Sequence, residues 1–372
     1  MSRPVVITGG GTGGHVFPMT AIAEALGEGG VPSTDLRFVG SRRGQEAQLR
    51  ANGEVPLTLL PGRGLRRSLR AGDLARNLIG AAGLLAACCV AAWKLRRWRA
   101  SAVVSVGGYA SFAVALAAVL WRCPLILVEF DAEPGAAQRL LRRFAAARCC
   151  AFPTSGANVI VTGAPLREAI ETVDRSAGAR ARARAAASPP IEPARAVVVV
   201  MTGSLGSGRV NAAVRELAEL WSSRRDRTLI HVTGRRDYLE YLALKPETEW
   251  LDYRVLAFGD MVELWSLADV AVCRAGAITV AELTALSIPS ILVPLPGAPH
   301  DHQTKNAHTV VAAGGAVLLR DDACTGAALA DRLEEMMSPE RLSAMAAAAG
   351  ALARPRAADA IAAVIIDVRG ER

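Results

Sequence analysis

The sequence predicts an α/β fold in which two parallel sheets are each covered by helices. Short apolar, β-branched runs alternate with helical patterns of ten or more residues, as in parallel strands joined by crossover helices. A glycine-rich turn follows an apolar run near the start of each half, at residues 9–14 and 203–208. The length of 372 residues suffices for two domains of ordinary size. Two similar α/β domains facing each other across a cleft are therefore the predicted architecture.

Strands are predicted wherever apolar and β-branched residues stand together in a short run. These runs are residues 5–8, 36–39, 102–106, 125–128 and 159–162 in the first half, and 196–202, 228–232, 253–257, 270–273, 290–293 and 316–319 in the second. Residues 174–195 interrupt the alternation with Arg-Ala repeats and a Ser-Pro-Pro turn, and we interpret them as a linker or surface excursion. The expected domains are residues 1–163 and 164–340, with a C-terminal helix in 341–372 that packs back on the first domain.

The charge distribution indicates an anionic partner for the first half. The chain is 51% hydrophobic and 21% charged, which is typical of a folded protein rather than a disordered one. Its net charge of +8 divides into +10 for residues 1–170, +2 for 171–196 and −4 for 197–372. A basic half suits nucleic acid, a phospholipid surface or a phosphorylated substrate. Nucleic acid is disfavoured, because no recognised motif or aromatic interleaving accompanies the charge.

The cysteines predict neither a disulfide framework nor a metal centre. Seven cysteines include two adjacent pairs and no CxxC, and most lie in apolar runs, so reduced, buried thiols are expected. No zinc-ligand spacing occurs. Because the N-terminus is typical of a strand and not of a signal peptide, the expected compartment is the cytoplasm.

Residues 78–93 form an uncharged stretch that is too short to predict a membrane span. It has 16 residues, whereas a transmembrane helix needs about 20, so a helix buried between sheet and surface is expected. A basic segment follows it, with Trp93 and Trp98 among its cations. Such a helix end suits an interfacial membrane anchor, since aromatic rings sit at headgroup depth and arginines pair with anionic lipid. A solvated helix end is the alternative.

The first glycine turn, Gly9-Gly10-Gly11-Thr12-Gly13-Gly14-His15, is suited to a phosphate or another close ligand. Glycine allows a sharp turn and a close approach, and the following helix N-terminus attracts anions. No Lys-Ser/Thr pair makes it a P-loop, and no acidic residue ends the second strand as in a dinucleotide site. His15 is a candidate general base, or it hydrogen-bonds a substrate phosphate or hydroxyl.

A second candidate site is the segment Cys273-Arg274-Ala275-Gly276-Ala277-Ile278-Thr279-Val280-Ala281-Glu282. It follows a predicted strand and opens a helix, so the amides near Ala277–Thr279 can bind a phosphate. Glu282, one turn later, can accept hydrogen bonds from a ribose diol. The alternative is a capping box, in which Thr279 and Glu282 only start the helix.

A third candidate site is the polar stretch from Pro294 to Ala307, after a buried strand. Gln303 and Asn306 carry amides that both donate and accept, which suits sugar hydroxyls. His300 and His302 allow a metal site, but no further ligand pattern supports one.

Taken in order, these motifs resemble the MurG family, the bacterial glycosyltransferases that add N-acetylglucosamine to the lipid-linked peptidoglycan precursor. The matching pieces are the first glycine turn with Val16-Phe17-Pro18, then Ser105-Val106-Gly107-Gly108-Tyr109-Ala110-Ser111, Thr162-Gly163-Ala164-Pro165-Leu166-Arg167, Gly203-Ser204-Leu205-Gly206, the Cys273–Glu282 segment and His302-Gln303-Thr304-Lys305-Asn306-Ala307. The resemblance covers most of the chain and fades in 174–195 and after about residue 338. It implies a GT-B fold of two doubly wound, Rossmann-like domains, with the donor in the C-terminal domain and the lipid acceptor near the N-terminal one.

The resemblance also implies which residues form the site. The candidate catalytic residues are His15 and Glu129. The donor would be bound by Thr12, Gly13, Gly14, Asp131, Arg167, Ser204, Phe258, Ala277, Ile278, Thr279, Glu282, His302 and Gln303. The membrane-facing residues would be Leu78, Leu84, Leu85, Trp93, Lys94, Arg96, Arg97 and Trp98. No metal and no cofactor is implied.

The implied reaction is a metal-independent, inverting transfer from UDP-N-acetylglucosamine to undecaprenyl-pyrophosphoryl-muramyl-pentapeptide. The enzyme would work peripherally on an anionic membrane surface, at the cytoplasmic face of the cell membrane, with other cell-wall synthesis proteins as further partners. The chain departs from the family at Asp131, Leu205 and Gly259, where asparagine, glutamine and an acidic residue are usual. A related lipid glycosyltransferase, a sugar-nucleotide epimerase and a non-catalytic nucleotide-sugar-binding protein therefore remain alternatives.

Overall fold

The computed structural model describes residues 3–10, 13–41, 55–61, 71–203 and 206–370, with side chains in these ranges except at 13–15, 71–79 and 109–110. The chain divides into two compact units. Unit 1 comprises residues 1–167 and 356–372, and unit 2 comprises residues 168–355. Each unit holds one parallel sheet flanked by helices, which confirms the predicted α/β class with two doubly wound sheets.

Unit 1 is built on a seven-stranded parallel sheet of order β3-β2-β1-β4-β5-β6-β7. Its strands are β1 Val5–Thr8, β2 Leu36–Ser41, β3 Leu57–Leu60, β4 Ala102–Ser105, β5 Leu125–Glu129, β6 Ala147–Cys150 and β7 Val159–Val161. Its helices are α1 Gly13–Glu28, α2 Ala71–Trp98, α3 Tyr109–Leu120, α4 Ala136–Leu141 and, from the C-terminus, α14 Ala357–Gly370, which packs against α1. Short 3-10 turns stand at Ser33–Asp35 and Arg142–Phe144.

Unit 2 is built on a six-stranded parallel sheet of order β10-β9-β8-β11-β12-β13. Its strands are β8 Ala196–Met201, β9 Arg227–Val232, β10 Asp252–Leu256, β11 Val270–Cys273, β12 Ser290–Leu292 and β13 Ala316–Leu318. Its helices are α5 Glu168–Glu171, α6 Ala177–Ala186, α7 Gly208–Leu220, α8 Tyr238–Ala243, α9 Met261–Leu267, α10 Ala277–Ala285, α11 His302–Ala313, α12 Gly326–Met336 and α13 Pro339–Gly350. Pro299–Asp301 and Asp321–Ala323 are 3-10 turns.

Two strands of unit 1 lie outside the apolar runs from which strands were predicted. The strand β6 contains Arg148, whose charge hides the strand pattern, yet the side chain is buried beside Glu129 of β5. The strand β3 is half-buried at the edge of the sheet, and its Leu-Thr-Leu-Leu run was missed although its apolar residues were visible in the sequence. The strand β6 could not be recognised locally, because burial of its arginine depends on a partner in another strand.

The segment interpreted as a linker or surface excursion, residues 174–195, contains the helix α6. Ser176 caps it, its hydroxyl accepting from the amide of Ala179 at 3.3 Å. The helix packs against α9, and Arg184 is buried with its guanidinium on the carbonyl oxygen of Leu267 at 2.8 Å. This helix has no apolar stripe, because arginine side chains make its contacts with α9 and the segment that follows α9.

The helix α2 is the long helix expected around residues 78–93. Its buried face includes Ala87, Ala91 and Leu95, which belong to a core cluster with residues of α3 and the sheet. No helix within the described ranges is both long and apolar enough to cross a membrane.

Candidate functional site

The strand order of each sheet fixes where a ligand can bind. In unit 1 the order reverses between β1 and β4, and in unit 2 between β8 and β11. The connections that leave such neighbouring strands run in opposite directions, so a crevice opens beyond their carboxyl ends. The four turns that carry the sequence motifs begin at these points, after Thr8, Ser105, Met201 and Cys273.

The two glycine turns of unit 1 are in close contact. A Cβ on Gly108 would lie 2.0 Å from the carbonyl oxygen of Gly10, and the φ of Gly108 is +90°. A Cβ on Gly9 would lie 2.3 Å from Cγ2 of Val106. Only glycine fits such an approach, so the motifs that follow β1 and β4 form one structure beside the start of α1.

The predicted residues of the first glycine turn are only partly described. Thr12 lies outside the described residues, and Gly13, Gly14 and His15 open α1 with side chains that lie outside them too. Their roles therefore stay predictions. The next turn of α1 presents Phe17, which is 44% exposed, and the Arg167 guanidinium carbon lies 4.6 Å from its ring centroid. Arg167 is thus held beside the glycine turn of unit 1 by a cation–π contact.

Glu129, a candidate catalytic residue, lies in a buried ion pair at the end of β5. It is 3% exposed, and its Oε2 is 2.7 Å from Nη2 of Arg148. The thiol of Cys150 also donates to Oε2 at 3.4 Å, and burial raises the pKa of this thiol to about 12. Glu129 Oε1 is buried without a hydrogen-bond partner in the part of the chain that the structure describes.

This geometry restricts what Glu129 can do. The hydrogen bond with Glu129 raises the pKa of Arg148, and Oε2 is engaged in this bond. Oε1 is the carboxylate oxygen that has no hydrogen-bond partner among the described residues. Asp131, two residues later, is half-buried just past the strand. The Arg148 partner was missed by sequence reasoning, and an arginine inside an apolar strand was the available signal.

In unit 2 a guanidinium ties together three loops at the carboxyl edge of the sheet. Arg274 donates to the carbonyl oxygens of Val293 and Pro294 at 3.1 and 3.0 Å, and to Oγ of Ser207 at 2.6 Å. Its Nη1 also lies 2.7 Å from Oδ1 of Asp321. Sequence reasoning gave Arg274 no role, although an arginine directly after a buried strand indicates an internal ion pair.

The second glycine turn is forced close to the neighbouring strand. A Cβ on Gly206 would lie 1.9 Å from the carbonyl oxygen of Thr233, and the φ of Gly206 is +76°. Ser207 then caps α7, its hydroxyl accepting from the amide of Val210 at 3.4 Å. Ser204 and Leu205 lie outside the described residues, so the predicted donor contact of Ser204 stays a prediction.

The start of α10 has the geometry of an anion site. Gly276 is the N-cap, with φ −64° and ψ 143°, and no side chain caps the helix. Ala277, Ile278 and Thr279 therefore form the first turn, whose amides have no partner within the helix. The capping-box alternative is wrong, because Thr279 is the third helical residue and not the N-cap.

Glu282 lies on the same helix and is held by a tryptophan that sequence reasoning missed. The indole Nε1–H of Trp265 donates to Glu282 Oε2 at 2.9 Å, and both side chains are buried. Phe258, predicted to meet the uracil, follows β10 and is 57% exposed, and the guanidinium carbon of Arg235 is 5.2 Å from its ring centroid. The predicted contact with the uracil is one of the Phe258 backbone, and it stays a prediction.

Two side chains at the start of α11 form hydrogen bonds with the backbone of the loop that precedes the helix. The side-chain oxygen of Gln303 accepts from the amide of Leu295 at 2.9 Å, so its NH2 group is the part that can donate to a sugar hydroxyl. His302 Nδ1 is 2.8 Å from the carbonyl oxygen of Pro299, which can only accept. Nδ1 therefore carries a proton and donates it to this carbonyl oxygen, which leaves Nε2 as the ring atom that can meet a ligand.

Asn306 does not read sugar hydroxyls, contrary to the sequence expectation. It is fully buried and donates to the carbonyl oxygen of Ala275 at 3.1 Å, which fixes α11 to the loop before α10. His300 adopts a left-handed φ of +57° in the same loop. Across the described ranges, no group of three or more His, Cys, Asp or Glu side chains could hold a metal ion.

The predicted membrane-facing residues divide between surface and core. Leu85 and Trp93 are 68% and 57% exposed, whereas Leu84 and Trp98 pack partly against the core, and the side chain of Leu78 lies outside the described residues. The cations of the same helix end lie over its indole rings, with Lys94 Nζ 5.2 Å from Trp98 and the Arg97 guanidinium carbon 5.7 Å from Trp93.

The end of α3 extends this surface, which the sequence did not indicate. Leu120 is 69% exposed and Trp121 is 47% exposed, and the guanidinium carbon of Arg96 from α2 lies 5.0 Å from the Trp121 ring centroid. We call Leu85, Trp93, Leu120 and Trp121 the α2–α3 patch. These four residues are large, apolar and exposed, and cations of α2 lie over two of their rings.

Family comparisons match both halves of the chain. The model of the glycosyltransferase family 28 N-terminal domain matches residues 5–149, and that of the family 28 C-terminal domain matches residues 197–362. A protein of Alkalilimnicola ehrlichii named UDP-N-acetylglucosamine--N-acetylmuramyl-(pentapeptide) pyrophosphoryl-undecaprenol N-acetylglucosamine transferase is 41% identical over 99% of both chains. A protein of the same name from Moorella thermoacetica is 35% identical over 97% of this chain and 98% of its own.

Solved structures give the same relationship. The crystal structure of MurG from Acinetobacter baumannii has a TM-score of 0.75 and 26% identity, and the match covers 98% of this chain and 99% of that one. A putative UDP-N-acetylglucosamine 2-epimerase from Listeria monocytogenes has a TM-score of 0.69 but only 14% identity, over 100% of this chain and 98% of its own. That second likeness shows a shared fold and no more.

Proposed function

The chain belongs to the MurG family of glycosyltransferase family 28, and from this premise we propose that it transfers N-acetylglucosamine from UDP-N-acetylglucosamine to undecaprenyl-pyrophosphoryl-N-acetylmuramyl-pentapeptide. The observation that carries the proposal is 41% identity, over 99% of both chains, to a relative named for this reaction. The epimerase alternative has weaker support, because its likeness is confined to the fold at 14% identity.

The proposed chemistry is an inverting displacement at the anomeric carbon of the donor. The 4-hydroxyl oxygen of the acceptor forms the new bond to this carbon, while the bond to the diphosphate oxygen breaks and UDP leaves. His15 takes the hydroxyl proton. The amides of Ala277–Thr279 at the start of α10 stabilise the charge on the departing diphosphate without a metal ion.

The donor is assigned mainly to unit 2. Phe258 contacts the uracil, Glu282 accepts from the ribose hydroxyls, and Gln303 with His302 reads the hexosamine. Support comes from the hydrogen bonds of two of these side chains, since Gln303 has its oxygen engaged and His302 has its Nδ1 engaged. Unit 1 is assigned to the acceptor and the membrane. There Glu129 Oε1 is buried without a hydrogen-bond partner among the described residues. Arg167 of the same unit lies over the Phe17 ring and is assigned to the diphosphate of the donor.

The transfer reaction tests this proposal directly. Purified protein is incubated with radiolabelled UDP-N-acetylglucosamine and the lipid-linked muramyl acceptor, with and without a chelator. Label should enter the lipid in both cases. His15→Ala should reduce turnover by about 10²-fold or more, since a general base contributes about that factor, and should leave UDP affinity nearly unchanged. His308→Ala, at an exposed position of α11, is the matched control.

Two outcomes would contradict the proposal. Full turnover by His15→Ala would remove His15 from the mechanism. Binding of UDP without transfer would favour another acceptor or a non-catalytic nucleotide-sugar-binding role.

We further propose that the α2–α3 patch binds peripherally to anionic lipid at the cytoplasmic face of the cell membrane. Trp93 and Trp121 supply interfacial rings, and Arg96 and Arg97 lie over them and can pair with lipid phosphates. The +10 charge of residues 1–170 acts in the same direction.

Vesicle sedimentation measures this membrane contact. Trp93→Ala with Trp121→Ala should weaken binding to phosphatidylglycerol vesicles, and the loss should persist at high salt because it removes apolar area. Trp250→Ala, an exposed tryptophan of unit 2, is the matched control and should bind as the parent does. Equal binding by both variants would remove the α2–α3 patch from the membrane interface.

A further inference from the structure

The carboxylate of Glu282 is fixed in place by a side chain from a different helix. Trp265 of α9 is fully buried, and its indole Nε1–H donates to Glu282 Oε2 at 2.9 Å. Glu282 itself is 8% exposed. A hydrogen bond between a rigid ring and a buried carboxylate holds the carboxylate in one orientation, because the indole has one donor and cannot follow a turning partner.

Trp265 is in turn held by the arginine-rich segment that precedes β8. Arg175 donates to the carbonyl oxygen of Trp265, and to that of Ala268 at 2.9 Å. Arg184 donates to the carbonyl oxygen of Leu267 at 2.8 Å. These cations occupy the C-terminal end of α9, where carbonyl groups lack helical partners and positive charge is favoured. Arg175 and Arg184 therefore anchor the helix that carries Trp265.

We propose that Trp265 is a positioning residue for recognition of the donor ribose. The inference rests on the proposed function, in which Glu282 accepts from the ribose hydroxyls. A carboxylate that is already oriented loses less conformational entropy when the ribose binds. Trp265 thereby acts through Glu282 on nucleotide affinity, and it touches neither the sugar nor the reacting atoms.

The test compares two ligands that differ only at the ribose. UDP and 2′-deoxyuridine diphosphate are titrated calorimetrically into the full chain, into Trp265→Phe, into Glu282→Gln and into the double variant. The parent should prefer UDP by about tenfold, as expected for one hydrogen bond to a charged group. Trp265→Phe should lower this preference to about threefold or less, while its affinity for the deoxy ligand changes less than about twofold.

The double variant distinguishes a positioning role of Trp265 from a general loss of structure in the Trp265→Phe protein. If Trp265 acts through Glu282, adding Trp265→Phe to Glu282→Gln should produce no further loss of UDP affinity. Trp221→Phe is the matched control, since Trp221 is also buried in unit 2 but follows the C-terminal end of α7. This control should keep the parent's preference for UDP.

An indole N–H resonance gives a second readout that does not depend on folding of the Trp265 variant. The nitrogen–proton signal of Trp265 should shift in Glu282→Gln, and it should shift on binding of UDP more than on binding of the deoxy ligand. Retention of the UDP preference by Trp265→Phe, or an unmoved indole signal in Glu282→Gln, would overturn the inference. A parent that binds both ligands equally would instead contradict the assignment of Glu282 to the ribose, and the inference with it.

Discussion

His231 gives unit 2 a calculable dependence of stability on pH. Its ring lies fully buried on β9, with Nδ1 2.9 Å from the hydroxyl of Tyr253 and Nε2 3.0 Å from Oδ1 of Asn211. The NH2 group of Asn211 donates to the carbonyl oxygen of Thr233 and to Asp237, both at 3.0 Å. Oδ1 of Asn211 must therefore accept from Nε2–H, and Nδ1 accepts from Tyr253. Both ring nitrogens are used in the neutral tautomer.

Burial lowers the pKa of His231 to about 3. An unfolded chain has an ordinary histidine pKa of about 6.5, so between these values the unfolded state binds a proton that the folded state does not. The free energy of unfolding must then fall as the pH falls through this window. With about 1.4 kcal/mol per pKa unit, the loss between pH 8 and pH 5 is about 2 kcal/mol, and it reaches about 5 kcal/mol below pH 3.

The assay compares the parent with His231→Gln, which has no titrating ring. Urea unfolding of the full chain is followed by circular dichroism at pH 8, 7, 6 and 5. All other titrations are common to both proteins, so the difference in their free energies of unfolding isolates His231. The parent's advantage should shrink by about 2 kcal/mol from pH 8 to pH 5. A difference independent of pH would refute the argument that the buried ring stays neutral.

Three further substitutions test individual contacts within the two units. Arg148→Met should lower the free energy of unfolding by about 3–5 kcal/mol, because it leaves the buried charge of Glu129 unpaired; a double variant with Glu129→Gln should recover part of this in urea unfolding. Gly206→Ala should lower UDP affinity about tenfold or more by calorimetry, since its Cβ meets a carbonyl oxygen at 1.9 Å. Gly203→Ala, which has a φ of +96° but open space, should be milder. Arg184→Gln should lower the thermal midpoint by several degrees, as expected when a charge-assisted hydrogen bond is lost, whereas the exposed Arg182→Gln should not.

The strands and glycine turns could be predicted because their signals are local. The runs at Val5–Thr8 and Val270–Cys273 are strands with the predicted bounds. The close approaches at Gly108 and Gly206 explain why glycine is required there. The start of α10 at Ala277 also follows from its own sequence, since Gly276 supplies the extended N-cap.

Predictions failed or fell short where a residue's role depends on a partner far along the chain. Asn306 was expected to meet a sugar, yet it is buried against Ala275, a residue 31 positions away. Residues 174–195 have no strand pattern, yet their arginines bind the end of α9 about 90 positions away.

The fold class, the positions of the glycine-rich turns and the family of this protein could be predicted from the amino-acid sequence, because glycine placement and apolar periodicity are properties of short segments. The pairing of Glu129 with Arg148, the hydrogen bond from Trp265 to Glu282 and the position of Arg96 over Trp121 are visible only in the folded chain. The physical reason is that the ionisation and orientation of a buried group depend on its neighbours across the sheet, and those neighbours are set by strand order and helix packing.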